Sequence, residues 1–499
     1  MIWWRRVITH PNGIRDKERP QKCYVRKRVK LGMRASRRKR YSYLVVLMGL
    51  MLNCLQPNAK AHEDEKPAKT DRGLEIIYSS SAPKWIPAPM GSKLPKWMDV
   101  DTTYVSQPMV NISGGSNQQG SYADQWTINT TISSGLNIDD NRKKELDRWS
   151  LHANYGLQLG TPAFGDQISA EFPPQSIYYP QGFWLRGLYT ERDGGNTKIR
   201  VGPGMTINNL FDSQTYNYYI NSTIDNTLNL QLPGLPIDPY NSIGASIDWQ
   251  PTKKITAKYG IFQLSQNRGL NTSNANIYKG WYLGASNQDG TVQGLKLEYA
   301  YKQAPLGLEV CLDHARDGIF QRVGRNCKKV GAVENNLPKP ILQVGGYSAT
   351  WAFPYLDGSD GIGSTTNGVF VHGTAPVTMP WGHGSSLWGS VVYNSNDLVN
   401  QTPITFMGGM ISQGVLPKRP FDQMIIGFSR SSLSSYATYP NYTIGGEAQV
   451  FTAMAELDYS IKLNSRLSIQ PGIQFIFNPS GNDNYNTAVI PQVQFMLGL

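Results

Sequence analysis

The sequence predicts an all-β chain folded as a transmembrane antiparallel β-barrel, and three observations carry that prediction. Long stretches alternate strictly between apolar and polar residues, the pattern of a strand with one greasy and one wet face. The clearest is Trp149, Leu151, Ala153, Tyr155, Leu157 and Leu159, with Ser150, His152, Asn154, Gly156, Gln158 and Gly160 between them. Such runs reach about ten residues or more, longer than the ~5–6 of a soluble strand and suited to the roughly 9–11 that a tilted strand needs to cross a bilayer. Beyond its leader the chain has no apolar run of the length a spanning helix requires, and its hydrophobic fraction is 40%. Barrels look this ordinary in bulk because every second residue faces a wet lumen.

The chain opens on a basic leader. Residues 1–61 hold sixteen Lys and Arg against Asp16 and Glu18, a surplus of +14 against +12 for the whole chain, so the remainder nets −2. The basic balance belongs to the leader and gives no reason to expect a nucleic-acid partner. Arg37-Arg38-Lys39-Arg40 precedes an apolar run from Tyr43 to Leu52, and Ala59-Lys60-Ala61 supplies the small residues a signal peptidase reads. The run falls short of the ~20 residues of a membrane anchor, which favours a cleaved secretory signal. Met33 is a second candidate start. Residues 62–96 follow as a periplasmic extension or linker, polar and then Pro-rich, with Trp85 and Trp97 among Pro83, Pro87, Pro89 and Pro95. Composition leaves open whether it packs on the barrel mouth, reaches a periplasmic partner or is a tether.

From 97 to 499 the pattern is short alternating runs broken by Gly, Asn, Asp and Pro, as expected of antiparallel strands. Runs lie at 183–190, 197–203, 244–249, 255–264, 292–302, 341–353, 368–375, 386–393, 405–412 and 424–430. Three more close the chain. Ala455, Leu457 and Tyr459 alternate with Glu456, Asp458 and Ser460; Ile469, Ile473 and Phe475 alternate with Gln470, Gly472 and Gln474; Val489, Val493 and Phe495 alternate with Gln492 and Gln494. The length suits a barrel of about sixteen strands, with eighteen fitting as well. Because such barrels alternate short periplasmic turns with longer outer loops, Asn464-Ser465 and Pro251–Lys254 read as periplasmic turns and 431–447 and 479–486 as outer loops. The count cannot be carried across 303–340. Rings near strand ends, among them Tyr178, Tyr179, Trp184, Tyr216, Tyr218, Tyr219, Trp381 and Trp388, are expected in girdles at the two lipid interfaces. Cys23 and Cys54 fall in the leader. Cys311 and Cys327 are candidates for one disulfide, worth about 3 kcal/mol on the chain-entropy model, against free thiols or metal ligands. Their spacing, with no CxxC, argues against zinc.

A family resemblance enters at the C-terminus. Glu456-x-x-Tyr459, then Leu467-Ser468-Ile469-Gln470-Pro471-Gly472-Ile473-Gln474-Phe475-Ile476, then Asn478-Pro479-Ser480-Gly481, resembles the terminal signature of the bacterial carbohydrate-selective porin family (OprB type). Gly414–Asp422 with the strand from Ile425 to Ser429 looks like its penultimate hairpin region, and Tyr104, Asn111–Gly115 and Tyr122 look like its opening strands. The chain departs from the pattern in ending on Leu499 where such barrels commonly end on Phe, which bears on recognition by the outer-membrane assembly machinery. The resemblance implies an outer-membrane pore of a Gram-negative-type bacterium passing small hydrophilic solutes, sugars the named class, through an inward constriction. Lipid, small polar solutes and the assembly machinery are the implied partners, with a homo-oligomer left open and no cofactor called for. The alternatives are a pore mainly for inorganic ions or other small nutrients, or a soluble secreted β-rich sugar-binding protein.

Sugars exchange hydration for planar donors and carboxylates, so the lumen charges are the candidates for the constriction. They are Lys198 and Arg200 on one strand, Arg186 nearby, Asp212 at the head of the Tyr- and Asn-rich stretch 212–223, and Glu456 with Asp458. The stretch 212–223 is itself expected to fold inward. Each of these charges has a bland reading as a solvated lumen residue. Enzyme chemistry finds little footing. Gly382-His383-Gly384-Ser385-Ser386 does not match a nucleophile elbow, His152, His314 and His372 lack metal-ligand spacing, and Glu456 and Asp458, about 7 Å apart by strand rise, come with no implied cleft.

Overall fold

The computed structural model describes residues 73–80, 82, 94–95, 97–134, 148–161, 172–177, 181–225, 235–238, 240–264, 289–302, 308–313, 323–359, 361–382, 384–436, 451–481 and 485–499. The leader 1–61, with Cys23 and Cys54, lies outside the described residues, as do His314, Tyr178, Tyr179 and much of the extension 62–96.

Alternation has become a barrel. Its wall begins with β2 (Met98–Ser106), β3 (Met109–Val110), β4 (Gly120–Ser133), β5 (Arg148–Thr161), β6 (Gly182–Asp193), β7 (Thr197–Met205), β8 (Ser242–Thr252), β9 (Ile255–Leu264) and β10 (Gly290–Ala300). It continues with β13 (Ile341–Pro354), β14 (Ile362–Val377), β15 (Gly384–Asn394), β16 (Ile404–Gln413), β17 (Gln423–Ser432), β18 (Phe451–Lys462), β19 (Leu467–Phe477) and β20 (Ala488–Gly498). Three strands stand apart as a separate sheet, β1 (Glu75–Ile77), β11 (Glu309–Cys311) and β12 (Val330–Val333). Each wall strand pairs antiparallel with the next, and β20 closes on β2 from Thr103↔Gly498 to Ser106↔Phe495 and on β3 at Met109↔Gln492. β2 and β3 are one strand interrupted at Gln107-Pro108, where proline has no N–H for the ladder. Counted so, the closed barrel has 16 strands.

The two faces of each strand differ as the pattern requires. Leu457, Phe428 and Val371 face outward at 47%, 46% and 48% exposure, while their neighbours Glu456, Ser429 and His372 are buried in the interior. That outer face, unpartnered by protein, suits lipid.

The connections divide by length. At one end β6 and β7, β8 and β9, and β18 and β19 are joined by tight turns at 194–196, 253–254 and 463–466. At the opposite end the links are mostly longer, among them 162–181, 206–241, 265–289 and 433–450. Two links break the rule by leaving the short-turn end: 134–147, between β4 and β5, and the excursion 301–340, which carries β11 and β12. Cys311 and Cys327 lie on it, their Cα atoms 5.6 Å apart and their sulfurs joined in a disulfide.

The aromatic girdle needs a correction. Trp184, Tyr216, Tyr219 and Trp388 are buried inside the barrel, not at its lipid interfaces. They belong to, or pack against, a segment that fills part of the lumen, which composition alone could not distinguish from a girdle. Trp381 is exposed, and the other exposed outer rings are ones not named for the girdle from the sequence, including Trp149, Trp249, Tyr259, Tyr299 and Tyr393.

Candidate permeation site

Between β7 and β8 the chain turns into the lumen. It forms one helical turn, α1 (Asn208–Phe211), and a 3₁₀ turn at Tyr216–Tyr218, and its apolar side chains Ile207, Leu210, Phe211, Tyr216, Tyr219, Ile220 and Ile224 are buried. A loop exposing those groups to water would forfeit their burial, so the sequence drives it against a wall. The wall has seats for it. A Cβ at Gly427 would lie 2.4 Å from Tyr219 Cε1, and one at Gly294 2.5 Å from Phe211 Cζ, distances that only glycine tolerates.

Most polar anchors of the segment lie along one arc of the barrel, from β10 to β19, with Lys258 of β9 joining at its edge. Tyr216 Oη sits 3.2 Å from His372 Nδ1 and 2.8 Å from Ser390 Oγ, while Ser213 Oγ sits 3.0 Å from His372 Nε2. Trp388 Nε1 donates to Tyr219 Oη at 2.6 Å, and that hydroxyl donates to the Ile426 carbonyl at 2.9 Å. The Ile220 and Asn221 amides donate to Glu456 at 2.8 and 3.2 Å, and Asn221 Nδ2 donates to Gln474 Oε1 at 2.6 Å. Lys258 Nζ and Lys296 Nζ donate to the carbonyls of Asn209 and Asp212 at 3.2 and 2.9 Å, cations meeting the end of α1 where carbonyls lack partners.

Glu456 and Asp458 therefore sit behind the segment, each only 1% exposed. Gln492 Nε2 donates to both, at 3.1 and 3.0 Å, and Gln470 Nε2 donates to Asp458 at 3.0 Å. The sequence reading grouped them with the pore-facing charges; burial separates them, because the covering element lies far away in the chain. Asp212, half-buried at the segment's head, has its carboxyl pushed up by desolvation, with Lys296 pulling the other way. Burial pushes the Tyr218 phenol up to about 12.

The opposite arc, β4 to β9, keeps a wetter and more charged inner face. Arg200 Nε meets Glu191 at 2.7 Å and its Nη1 meets Asp248 at 3.0 Å, with side chains 12–16% exposed. Lys258 extends the row at 3.8 Å from Asp248, and Lys198 pairs with Asp193 at 3.2 Å and Glu191 at 3.8 Å. Strand parity places these side chains on one face: Lys198 is opposite Asp248, and Asp248 opposite Lys258. Arg186 comes inward by a different device. Pairing jumps from Asn154↔Gly187 to Tyr155↔Leu185, leaving Arg186 as the extra residue of a bulge. Gly156 leaves room for it, and it forms an ion pair with Asp238 of the inward segment and donates to Thr127. Beyond Arg186, His152 stacks on Tyr189, centroids 4.8 Å apart. Asp238, Asp248, Lys258, Lys296 and His372 were not singled out from sequence as part of this arrangement. Asp248, Lys258 and Lys296 carried a signal in the parity of their strands, whereas Asp238, which lies between strands, gave none.

A family model for the carbohydrate-selective porin, OprB family, matches residues 146–498. The chain belongs to that family. The porin also resembles solved structures in fold. The high-pH structure of Pseudomonas putida OprB aligns with a TM-score of 0.63 at 16% identity, covering 81% of this chain and 94% of that one. Salmonella typhi OmpF in complex with daunomycin aligns with a TM-score of 0.44 at 10% identity, over 81% and 97%. No curated protein sequence matches the porin. Family and barrel together make it an outer-membrane channel for passive, carbohydrate-selective diffusion of small hydrophilic solutes.

Proposed function

We propose that solutes pass between the inward segment and the β4–β9 arc, and that Arg186, Lys198, Arg200 and Asp212, with Glu191, Asp238, Asp248 and Lys258, set what passes. The observation that carries this is the pairing of charges on the wetter arc at 2.7 and 3.0 Å. Opposite charges held that close cancel each other's field over a few ångströms while still offering donors and acceptors to hydroxyl groups. Such a surface favours a neutral polyol over an inorganic ion. Glu456 and Asp458 act indirectly, as the mount of the segment. The short-turn end is periplasmic on this reading. The wall supplies binding and exclusion, with no bond-making step.

Planar-bilayer conductance and liposome swelling on the purified porin test the proposal. A small conductance with rapid swelling in neutral sugars supports it. Rapid salt permeation with sugar excluded would refute it in favour of an ion pore.

A further inference from the structure

The three strands outside the barrel wall form a cap at the short-turn end, and the cap reaches the inward segment from below. β1, drawn from the N-terminal extension, pairs parallel with β12 from Glu75↔Gly331 to Ile77↔Val333, and β11 pairs with β12 on its other edge. Leu308, Val310 and Val333 are buried between them, with Ile77, Leu312 and Phe421 packed alongside. Phe421 comes from the turn joining β16 and β17. The Ser465 amide, in the turn joining β18 and β19, donates to the Ser80 carbonyl at 2.9 Å, tying the extension to the rim a second time.

Past β12 the chain re-enters the lumen. The Glu334 amide donates to the Ile77 carbonyl at 2.7 Å. Gln413 Nε2 then donates to the Glu334 carbonyl at 2.7 Å, and the Asn336 amide donates to Gln413 Oε1 at 3.0 Å. The Asn336 carbonyl accepts from Gln423 Nε2 and from Tyr218 Oη, both at 2.6 Å. Leu337 is buried in the same core as Tyr216 and Tyr219. Tyr218 is thus held on two sides, since its own carbonyl accepts from Gln470 Nε2 at 3.0 Å.

We propose that the cap is a prop: the N-terminal strand and the 301–340 excursion fix Asn336, and Asn336 fixes the height of Tyr218 and with it the width of the passage. Asn336 and Tyr218 are positioning residues for permeation. The proposal rests on the reading of the inward segment as the constriction. It assigns the extension a role in the pore in place of a tether, and it places a second control of the passage opposite the loops from which the segment descends. A cap that merely covers apolar surface needs no hydrogen bond to the segment.

Single-channel recording compares the full porin with Tyr218→Phe, which removes only the hydroxyl, and with Ile77→Asp, which unseats β1 from the cap core. Heat-modifiable gel mobility reports that each barrel is closed. Glu456→Ala, which releases the segment from the opposite wall, is recorded in the same series. Losing one ordinary hydrogen bond shifts a two-state equilibrium by about fivefold. Tyr218→Phe is therefore expected to raise the fraction of time in a wider, noisier level by that factor, with Ile77→Asp moving the same way. If both keep wild-type traces while Glu456→Ala conducts more, the prop is overturned and the constriction stands. If Glu456→Ala also leaves the current unchanged, the segment is not the constriction and both readings fall. Should Ile77→Asp fail to fold, Tyr218→Phe alone decides.

Discussion

Two amides of the inward segment, on Ile220 and Asn221, end on the Glu456 carboxylate, which is separated from them by 236 and 235 positions in the chain. Removing that acceptor leaves two buried donors unmet, at about 1–3 kcal/mol each. Glu456→Ala should accordingly weaken the seat by about 2–6 kcal/mol, seen as higher conductance in a barrel that still runs as a folded species. Glu456→Gln keeps one acceptor oxygen and should lie between. Arg200 acts differently, because its partners face the wet arc. In Arg200→Gln the carboxylates of Glu191 and Asp248 lose their close cation, so the zero-current potential in a salt gradient should move toward cation selectivity. An unchanged potential would mean that the row does not line the path. Parity made Lys198 and Arg200 legible as inward-facing. It could not say which inward charges stay wet, since that depends on which arc a distant segment covers.

The element that decides this is the segment itself, and its seat is built from absent side chains. Gly427 and Gly409 leave the hollow that Tyr219 occupies; a Cβ at Gly409 would lie 2.4 Å from the Tyr219 hydroxyl. Gly427→Val should push Tyr219 off the wall, breaking its bonds to Trp388 and Ile426, and raise conductance without opening the barrel. Equal conductance and noise would show that the segment tolerates displacement. Asp212 offers a test by pH. Its folded carboxyl titrates above the ordinary value near 3.9 because burial disfavours the charge. Any stability its protonated form lends is present below the unfolded value and is lost as pH rises through the folded one. Asp212→Asn should therefore match the wild type in acid melting and exceed it as pH rises toward neutrality. Melting curves that keep a constant gap across this range would contradict that sign. The stretch 212–223 was legible as an inward candidate from its position between two strands and its Tyr and Asn content. The glycine seats were not, because a glycine in a strand reads equally as a bend or a bulge. The cap was missed for a related reason: strands as short as β1, β11 and β12 carry no alternation to detect.

At the scale of the molecule, the barrel has two unlike inner arcs. One, β10 to β19, is spent on mounting the segment. The other, β4 to β9, presents Glu191, Arg200, Asp248 and Lys258 as a row of alternating sign. A pore with cations facing anions across open water would hold a transverse field and sort solutes by charge. Here the opposite charges are neighbours on one wall, and the field decays within the spacing of the pairs. Permeability should then follow size and hydroxyl content before charge. Liposome swelling with glucose, glucosamine and gluconate, matched in size, is expected to rank the neutral sugar first, with both charged analogues slower because each must shed hydration without a free counter-charge to meet it. Raising the salt should change the order little, since close pairs are screened less than isolated charges. A marked preference for either charged analogue, abolished by salt, would instead point to an unbalanced charge along the path, and the first residue to test would then be Lys198, the most exposed cation of the row at 41%.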